Sequence, residues 1–169
     1  MKTFLISDHH WGHSNILTFK RHDGSPLRQF GSCVEMDEYM IECWNKTISP
    51  IDKVYHLGDV CFHNRVLDAI LPRLNGSKIL IKGNHDNLEV SQYMKYFKDI
   101  RAYDRLDTFV LSHIPIHQES ISNKTTANIH GHTHYRCLDD TRYFNVSVEA
   151  RDYFPVDFES IRSYYKNGN

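Results

Sequence analysis

Five short apolar runs in this chain each stop on histidine, aspartate or asparagine. The most informative is Lys78-Ile79-Leu80-Ile81-Lys82, which gives way to Gly83-Asn84-His85-Asp86. A continuous apolar run of that length, bounded by turn residues, reads as a buried strand. Metal-capable side chains then sit on the loop at a strand's carboxyl end, where α/β sheets place ligands. Gly83 lets the backbone turn there without a Cβ clash. Gly, Asn and Asp also favour ordinary turns, so the argument rests on repetition.

The repetition runs through the chain. Thr3-Phe4-Leu5-Ile6 leads into Ser7-Asp8-His9-His10-Trp11-Gly12-His13. Lys53-Val54-Tyr55-His56-Leu57 closes on Gly58-Asp59, and Thr108-Phe109-Val110-Leu111-Ser112 stops at His113. Residues 125–129 lead to His130-Gly131-His132-Thr133-His134. On extended backbone, residues two apart share a face, so Asp8 pairs with His10 and His132 with His134. A carboxylate and imidazoles converging at strand ends suit a divalent cation. His9 then points elsewhere, into packing or behind the ligands. Parallel strands would gather these ends on one edge, with donors enough for two ions and a carboxylate between them. No cysteine joins the set, which argues against a structural thiolate zinc site.

The remaining elements follow from pattern. Ser32-Cys33-Val34-Glu35 is a capping box, and Met36, Met40 and Trp44 continue it as a helix to about Ser49-Pro50, its Met and Trp stripe belonging to the core. Asn45, beside Trp44, could stand behind the site. Asn64 caps a helix carrying Leu67 and Ile70, limited by Pro72. Residues 88–98 read as helical with Val90, Met94 and Phe97 on one face; residues 101–107 are ambiguous; residues 143–148 form a strand. Asp157 caps a last helix with Phe158, Ile161 and Tyr165 inward, and residues 167–169 fray. Two groups beside the strand ends could face phosphate. His13 lies where a helix could start, with Ser14 as its cap. Arg28 sits in the Gly- and Pro-containing loop 21–31, with Lys20 and Arg21, and could grip phosphate in a bidentate way. A surface imidazole and a solvated guanidinium are the plain alternatives.

Composition narrows the class. The chain has 169 residues, which suits one domain, 1–169, with a sizeable core. Formal charge is -1, so no broad basic surface for duplex DNA is implied. The start is too short for a signal sequence or a membrane span. Cys33, Cys43, Cys61 and Cys137 lack Cys-x-x-Cys spacing and read as free thiols in a reducing, cytoplasmic setting. Histidine, with 12 copies, is the outlier.

Asp8-His9-His10, Gly58-Asp59, Gly83-Asn84-His85-Asp86, the lone His113 and Gly131-His132-Thr133-His134 occur in this order. Together they resemble the signature of the calcineurin-like metallophosphoesterase superfamily. The opening Ser-Asp-x-His-x-Gly-His, Glu35-Met36 with Trp44-Asn45, His56-Leu57-Gly58-Asp59 and Asn145-Val146-Ser147-Val148 resemble its short prokaryotic and phage branch. The resemblance spans nearly the whole chain. It implies an α/β fold, a two-sheet β-sandwich flanked by helices in four layers, α/β/β/α. It implies one metal held by Asp8, His10, Asp59 and His134. A second would be held by Asp59, Asn84, His113 and His132, with Asp59 bridging. It makes His85 the unligated acid that protonates the leaving oxygen, with Asp86 as a candidate to orient it. His56, His63, His117 and His130 read as structural histidines.

Elementary chemistry agrees with these roles. Two ions about 3.5–4 Å apart can clamp the attacking and leaving oxygens of an in-line displacement, and can supply hydroxide near neutral pH. Two divalent charges less Asp8, Asp59 and one hydroxide leave roughly one positive charge for an anionic ester. Asn84 ligates without cancelling charge. Nitrogen and oxygen donors accept manganese, the first expectation, as well as iron, zinc or nickel. The expected activity is phosphoester hydrolysis, with phosphodiesters of nucleotide or cyclic-nucleotide type foremost. Phosphomonoesterase, nuclease and a non-catalytic metal-dependent binding module are the alternatives. The expected partner is a small phosphoester or nucleotide rather than a membrane or a long nucleic acid. Oligomeric state is open.

Overall fold

A computed structural model describes residues 1–167; of the three residues expected to fray, Gly168 and Asn169 lie outside the described residues. Strands β1 (Thr3–Ile6), β2 (Lys53–His56), β3 (Ser77–Ile81) and β4 (Asp99–Arg101) run parallel side by side. The two-residue β9 (Val156–Asp157) adds to β1 antiparallel, giving the order β4-β3-β2-β1-β9. The second sheet is β5 (Tyr103–Leu106), β6 (Phe109–Ser112), β7 (Ala127–His130) and β8 (Tyr143–Asn145), in that order. Only its β5–β6 hairpin is antiparallel.

Strands β1, β2, β3, β6 and β7 are buried along nearly their whole length, which explains the apolar runs. Leu5, Tyr55, Ile79 and Ile81 of the first sheet face Phe109, Leu111, Ala127 and Ile129 of the second. The alternate residues Phe4, Ile6, Val54 and Leu80 turn the other way, toward a second core. There they meet helix α1 (Cys33–Thr47) through Met36, Met40 and Trp44, and helix α2 (Asn64–Ile70) through Leu67 and Ile70. The Met and Trp stripe is therefore core. Ser32 caps α1 as expected, its hydroxyl accepting from Glu35 N–H at 3.1 Å. Helix α4 (Phe158–Lys166) is capped by Asp157 and turns Phe158 and Ile161 into the inter-sheet core. The architecture is two mixed sheets flanked by helices, the α/β sandwich expected.

Three local expectations change. The helix expected over residues 88–98 is a single turn, α3 (Val90–Tyr93). Val90 and Met94 are exposed while Tyr93 and Phe97 are buried, so the apolar face lies elsewhere than the spacing implied. His63, not Asn64, occupies the cap position of α2. The ambiguous residues 101–107 form the end of β4 and all of β5.

The two sheets are stitched together where β1 ends. Beyond Ile6 the chain leaves its own sheet: Ser7 N–H donates to Val146 O and Val148 N–H donates to Ser7 O, both at 3.1 Å. The next residues stay beside the chain leaving β2, with Asp8 N–H on Gly58 O at 3.0 Å and His10 N–H on Asp59 O at 3.1 Å. Asp8 thus sits at the seam, with the loops after β2 and β3 on one side and those after β6 and β7 on the other.

Candidate metal centre

The seam gathers the strand-end residues into one cluster. Asp8, His10 and His134 can place one donor atom each within 4.8 Å of one another, and so can Asp8, Asp59 and His113. Asp59 Oδ2 lies 3.4 Å from His10 Nε2 and 3.3 Å from His113 Nε2, midway between the two groups. Asn84 Oδ1 lies 2.9 Å from both His113 Nε2 and His132 Nδ1. All seven expected ligands, Asp8, His10, Asp59, Asn84, His113, His132 and His134, therefore meet.

The backbone reaches this arrangement by an unexpected route. Asp8, His10, Asp59, His132 and His134 all have positive φ, between 51° and 68°. Two-residue periodicity on extended chain therefore does not place these pairs; left-handed turns do. For L-residues that conformation costs about 1–2 kcal/mol each, and such strain clusters where function requires it. The glycines also act differently from expectation. Gly83 does not use positive φ; a Cβ there would collide with the Asp59 carboxylate. Gly131 leaves room in the same way for Ser7 and Asp8. Close approach of carboxylate to backbone, rather than a sharp turn, is what these positions need.

The donor set fits a divalent cation. Asp8 Oδ2 accepts three hydrogen bonds, from Ser7 Oγ at 2.6 Å and from Ser147 Oγ and His132 N–H at 2.9 Å. Its Oδ1 is buried with no protein partner, and so is His10 Nε2. Buried polar atoms are normally satisfied, so unpartnered atoms on two residues that can place donor atoms within 4.8 Å of each other mark a cation position. Burial lowers the His10 imidazole pKa to about 3, which leaves it a neutral lone-pair donor. Burial opposes ionisation of Asp59, but His113 and His10 outweigh it and hold the carboxyl at about 2. His113 Nδ1 is 2.7 Å from Leu57 O, which holds that nitrogen as a donor and frees Nε2 to ligate.

One supporting residue, Glu149, lay outside the sequence reading, and others took their places as expected or in new roles. Glu149, fully buried in its side chain, places Oε1 2.9 Å from His134 Nδ1. Asp86 does not orient His85. Its carboxylate faces the other way and accepts N–H groups of Asp59, Val60 and Gly83, all at 2.8 Å, tying the β2 and β3 loops together. His9 is stacked on Trp11 at 3.9 Å and paired with His56 at 2.8 Å, so both support the cluster from beneath. Glu149 directly follows the Asn145-Val146-Ser147-Val148 run, the one signal that could have drawn attention to it.

Arg28 is the clearest correction. Its guanidinium is fully buried, 2.7 Å from Glu149, and donates to the carbonyls of Asp8 and His9 at 2.5 and 2.7 Å. It braces the ligand loop from behind, with no face left for a substrate phosphate. Asn45 likewise bonds backbone of Arg73 and Asn75, far from the cluster. His13 does lie near the cluster, its ring 5.9 Å from that of His10 and against Phe62 at 4.8 Å. The helix it precedes is only a 3-10 turn, Ser14–Thr18, with no side-chain cap, too short for the anion-binding argument. His85 is exposed at the mouth, its ring 5.5 Å from His10 and its N–H bonded to Asp59 Oδ1 at 2.9 Å. His63 and His117 are exposed and His130 is buried under Gly131, its Nδ1 2.8 Å from Gly131 O. The four cysteines are free thiols, and no helix among the described residues is long and apolar enough to cross a membrane.

Comparison with known proteins agrees with this geometry. An uncharacterised protein of Methanocaldococcus jannaschii is 32% identical, the match covering 99% of this chain and 93% of that one. A crystal structure of a protein of unknown function from Aquifex aeolicus superposes with a TM-score of 0.76 at 26% identity, covering 96% of this chain and 98% of that one. The family model described as calcineurin-like phosphoesterase matches residues 1–160. This chain, with its seam of aspartates and histidines between two sheets, belongs to the calcineurin-like phosphoesterase family.

Proposed function

We propose that the protein hydrolyses phosphodiesters of nucleotide type, using two divalent cations with manganese foremost. Asp8, His10, Asp59 and His134 would hold one ion, and Asp59, Asn84, His113 and His132 the other. The observation that carries this reading is the Asp59 carboxylate lying between His10 Nε2 and His113 Nε2. Asp8 falls in both geometric groups, but it is Asp59 whose free Oδ2 lies 3.4 Å from His10 Nε2 and 3.3 Å from His113 Nε2, one imidazole of each proposed site. Asp59 is the better bridge. When bound, the ions supply Lewis acidity and lower the pKa of a water toward 7.

The chain's own residues do the rest. Asn84 adds a donor without adding negative charge, so the centre stays attractive to an anionic ester. His85 stands at the mouth, holds no ligand position and is free to give its proton to the departing oxygen. An imidazole is the side chain most often used to pass a proton near neutral pH. Arg28 is withdrawn behind Glu149, so its guanidinium does not grip a terminal dianionic phosphate. That favours diesters over monoesters. Free thiols fit a reducing, cytoplasmic compartment.

The test is hydrolysis of bis(p-nitrophenyl) phosphate by manganese-loaded protein. His85→Ala is expected to lower kcat by about 10²–10⁴-fold while elemental analysis shows unchanged metal. Unchanged turnover in that variant would remove His85 from the mechanism; two bound ions without hydrolysis of any ester would favour a binding module.

A further inference from the structure

Beside Asn84 and His113 the protein opens into a cavity of about 640 Å³, within the range of about 300–1,000 Å³ usual for small-molecule sites. One wall is the outer face of the β5–β6 hairpin, where register pairs Tyr103 with Ser112 and Arg105 with Val110. The loop after β6, bearing Ile114 and Ile116, and Lys82 just after β3 complete the lining. Tyr103 is 66% exposed and Ile114 52% exposed, uncovered apolar surface next to a polar centre. Lys82 and Arg105 have no carboxylate partner among the described residues, unlike Arg101, which pairs with Asp99 and Asp104.

The wall is fixed in place before any ligand arrives. Asn128, fully buried, accepts Ile116 N–H at 3.0 Å and donates to Val110 O at 3.1 Å and Ser112 Oγ at 2.9 Å. Ser112 Oγ donates to Ile114 O at 2.7 Å, and the Tyr143 hydroxyl donates to Ile116 O at 2.8 Å. A loop pinned by its backbone this way loses little freedom on binding. With the β5 side chains Tyr103 and Arg105 and with Lys82 after β3, the cavity presents a flat aromatic ring, two aliphatic side chains and two free cations beside the metal centre.

Resting on the hydrolase reading above, we infer that this cavity seats the nucleoside arm of the phosphodiester, with Tyr103 against the base and Lys82 and Arg105 on a further phosphate. A base presents a flat π-face suited to tyrosine, and base–aromatic contacts are sequence-tolerant. Two unpaired cations at an apolar cavity call for an anion beyond the one at the metals.

Two substrates test this: the p-nitrophenyl ester of thymidine 5′-phosphate, with and without a 3′-phosphate. Arg105→Ala is expected to raise KM about tenfold on the 3′-phosphorylated ester, the size of one charge-assisted hydrogen bond, with kcat within about twofold. On the ester lacking the 3′-phosphate that variant should match the unaltered protein. Tyr103→Ala should raise KM on both. Binding of thymidine 3′,5′-bisphosphate to EDTA-treated protein, followed by calorimetry, should weaken in parallel in both variants. Turnover with KM and binding unchanged in both variants overturns the cavity assignment and leaves the hydrolase reading standing. Absence of turnover in the unaltered protein overturns the hydrolase reading; the calorimetric arm then decides the cavity, loss of binding in the variants supporting it and equal or absent binding overturning it.

Discussion

The buried Arg28–Glu149–His134 chain gives the sharpest quantitative prediction. Glu149 has a fully buried side chain, yet its carboxyl is held at about 2 against an ordinary 4.5. Burial works against ionisation there; the Arg28 charge and the His134 contact overcome it. At ~1.4 kcal/mol for each pH unit, that displacement is worth about 3 kcal/mol. Breaking a buried ion pair by removing one partner typically costs about 3–5 kcal/mol, so two routes agree on the size. Because the folded-state pKa is depressed, this stabilisation is present above pH 4.5 and fades as pH falls toward 2. Glu149→Ala should therefore lower the melting temperature of metal-free protein at pH 7 by roughly 6–12 °C, at about 2–4 °C per kcal/mol. It should also weaken one metal site by about 10–100-fold through loss of the bond that orients His134. The other site should hold its affinity, since Glu149 touches none of its donors. Scanning calorimetry of EDTA-treated protein and a manganese titration read the two effects separately. A melting temperature within about 2 °C of the unaltered protein, with both sites intact, would refute the reasoning.

Gly83→Ala drives a Cβ into the Asp59 carboxylate; metal binding should fall at both sites and stability by about 1–3 kcal/mol, read by metal titration and urea unfolding. Lys78 is buried with its ammonium on the carbonyls of Leu74 and Gly76, and burial pulls its pKa down to about 8. Between about 8 and 10.5 the unfolded chain binds more protons at this position than the folded one, so its contribution to stability rises with pH. The stability difference between the unaltered protein and Lys78→Met should therefore move in favour of the former by up to about 3 kcal/mol across that window; a flat difference in urea unfolding would contradict it.

Strand ends were legible because a strand buried on both faces is apolar along its length and must stop where polar residues begin. That placed Asp8, Asp59, Asn84, His113 and His132 at one edge. The conformation of the ligand loops was not legible: left-handed Asp8 and His10 look, in one-letter form, like alternating positions on a strand. Residues 88–98 misled for a related reason. Val90 and Met94 have helical spacing, but after one turn Tyr93 and Phe97 claim the buried positions. Arg28 and Glu149 are 121 residues apart, and no local pattern pairs them, so an arginine expected at the mouth turned out to be a brace behind it. Asp86 shows the limit of adjacency: loop neighbours pointed apart, and its carboxylate gathers backbone N–H groups instead of meeting His85.

The centre itself is tested most directly by counting and locating manganese on the purified protein. Elemental analysis with electron paramagnetic resonance should find two ions per chain in a spin-coupled pair, and Asp59→Asn should abolish the coupling. A single ion per chain, or two ions that remain magnetically independent, would contradict a shared site built around Asp59.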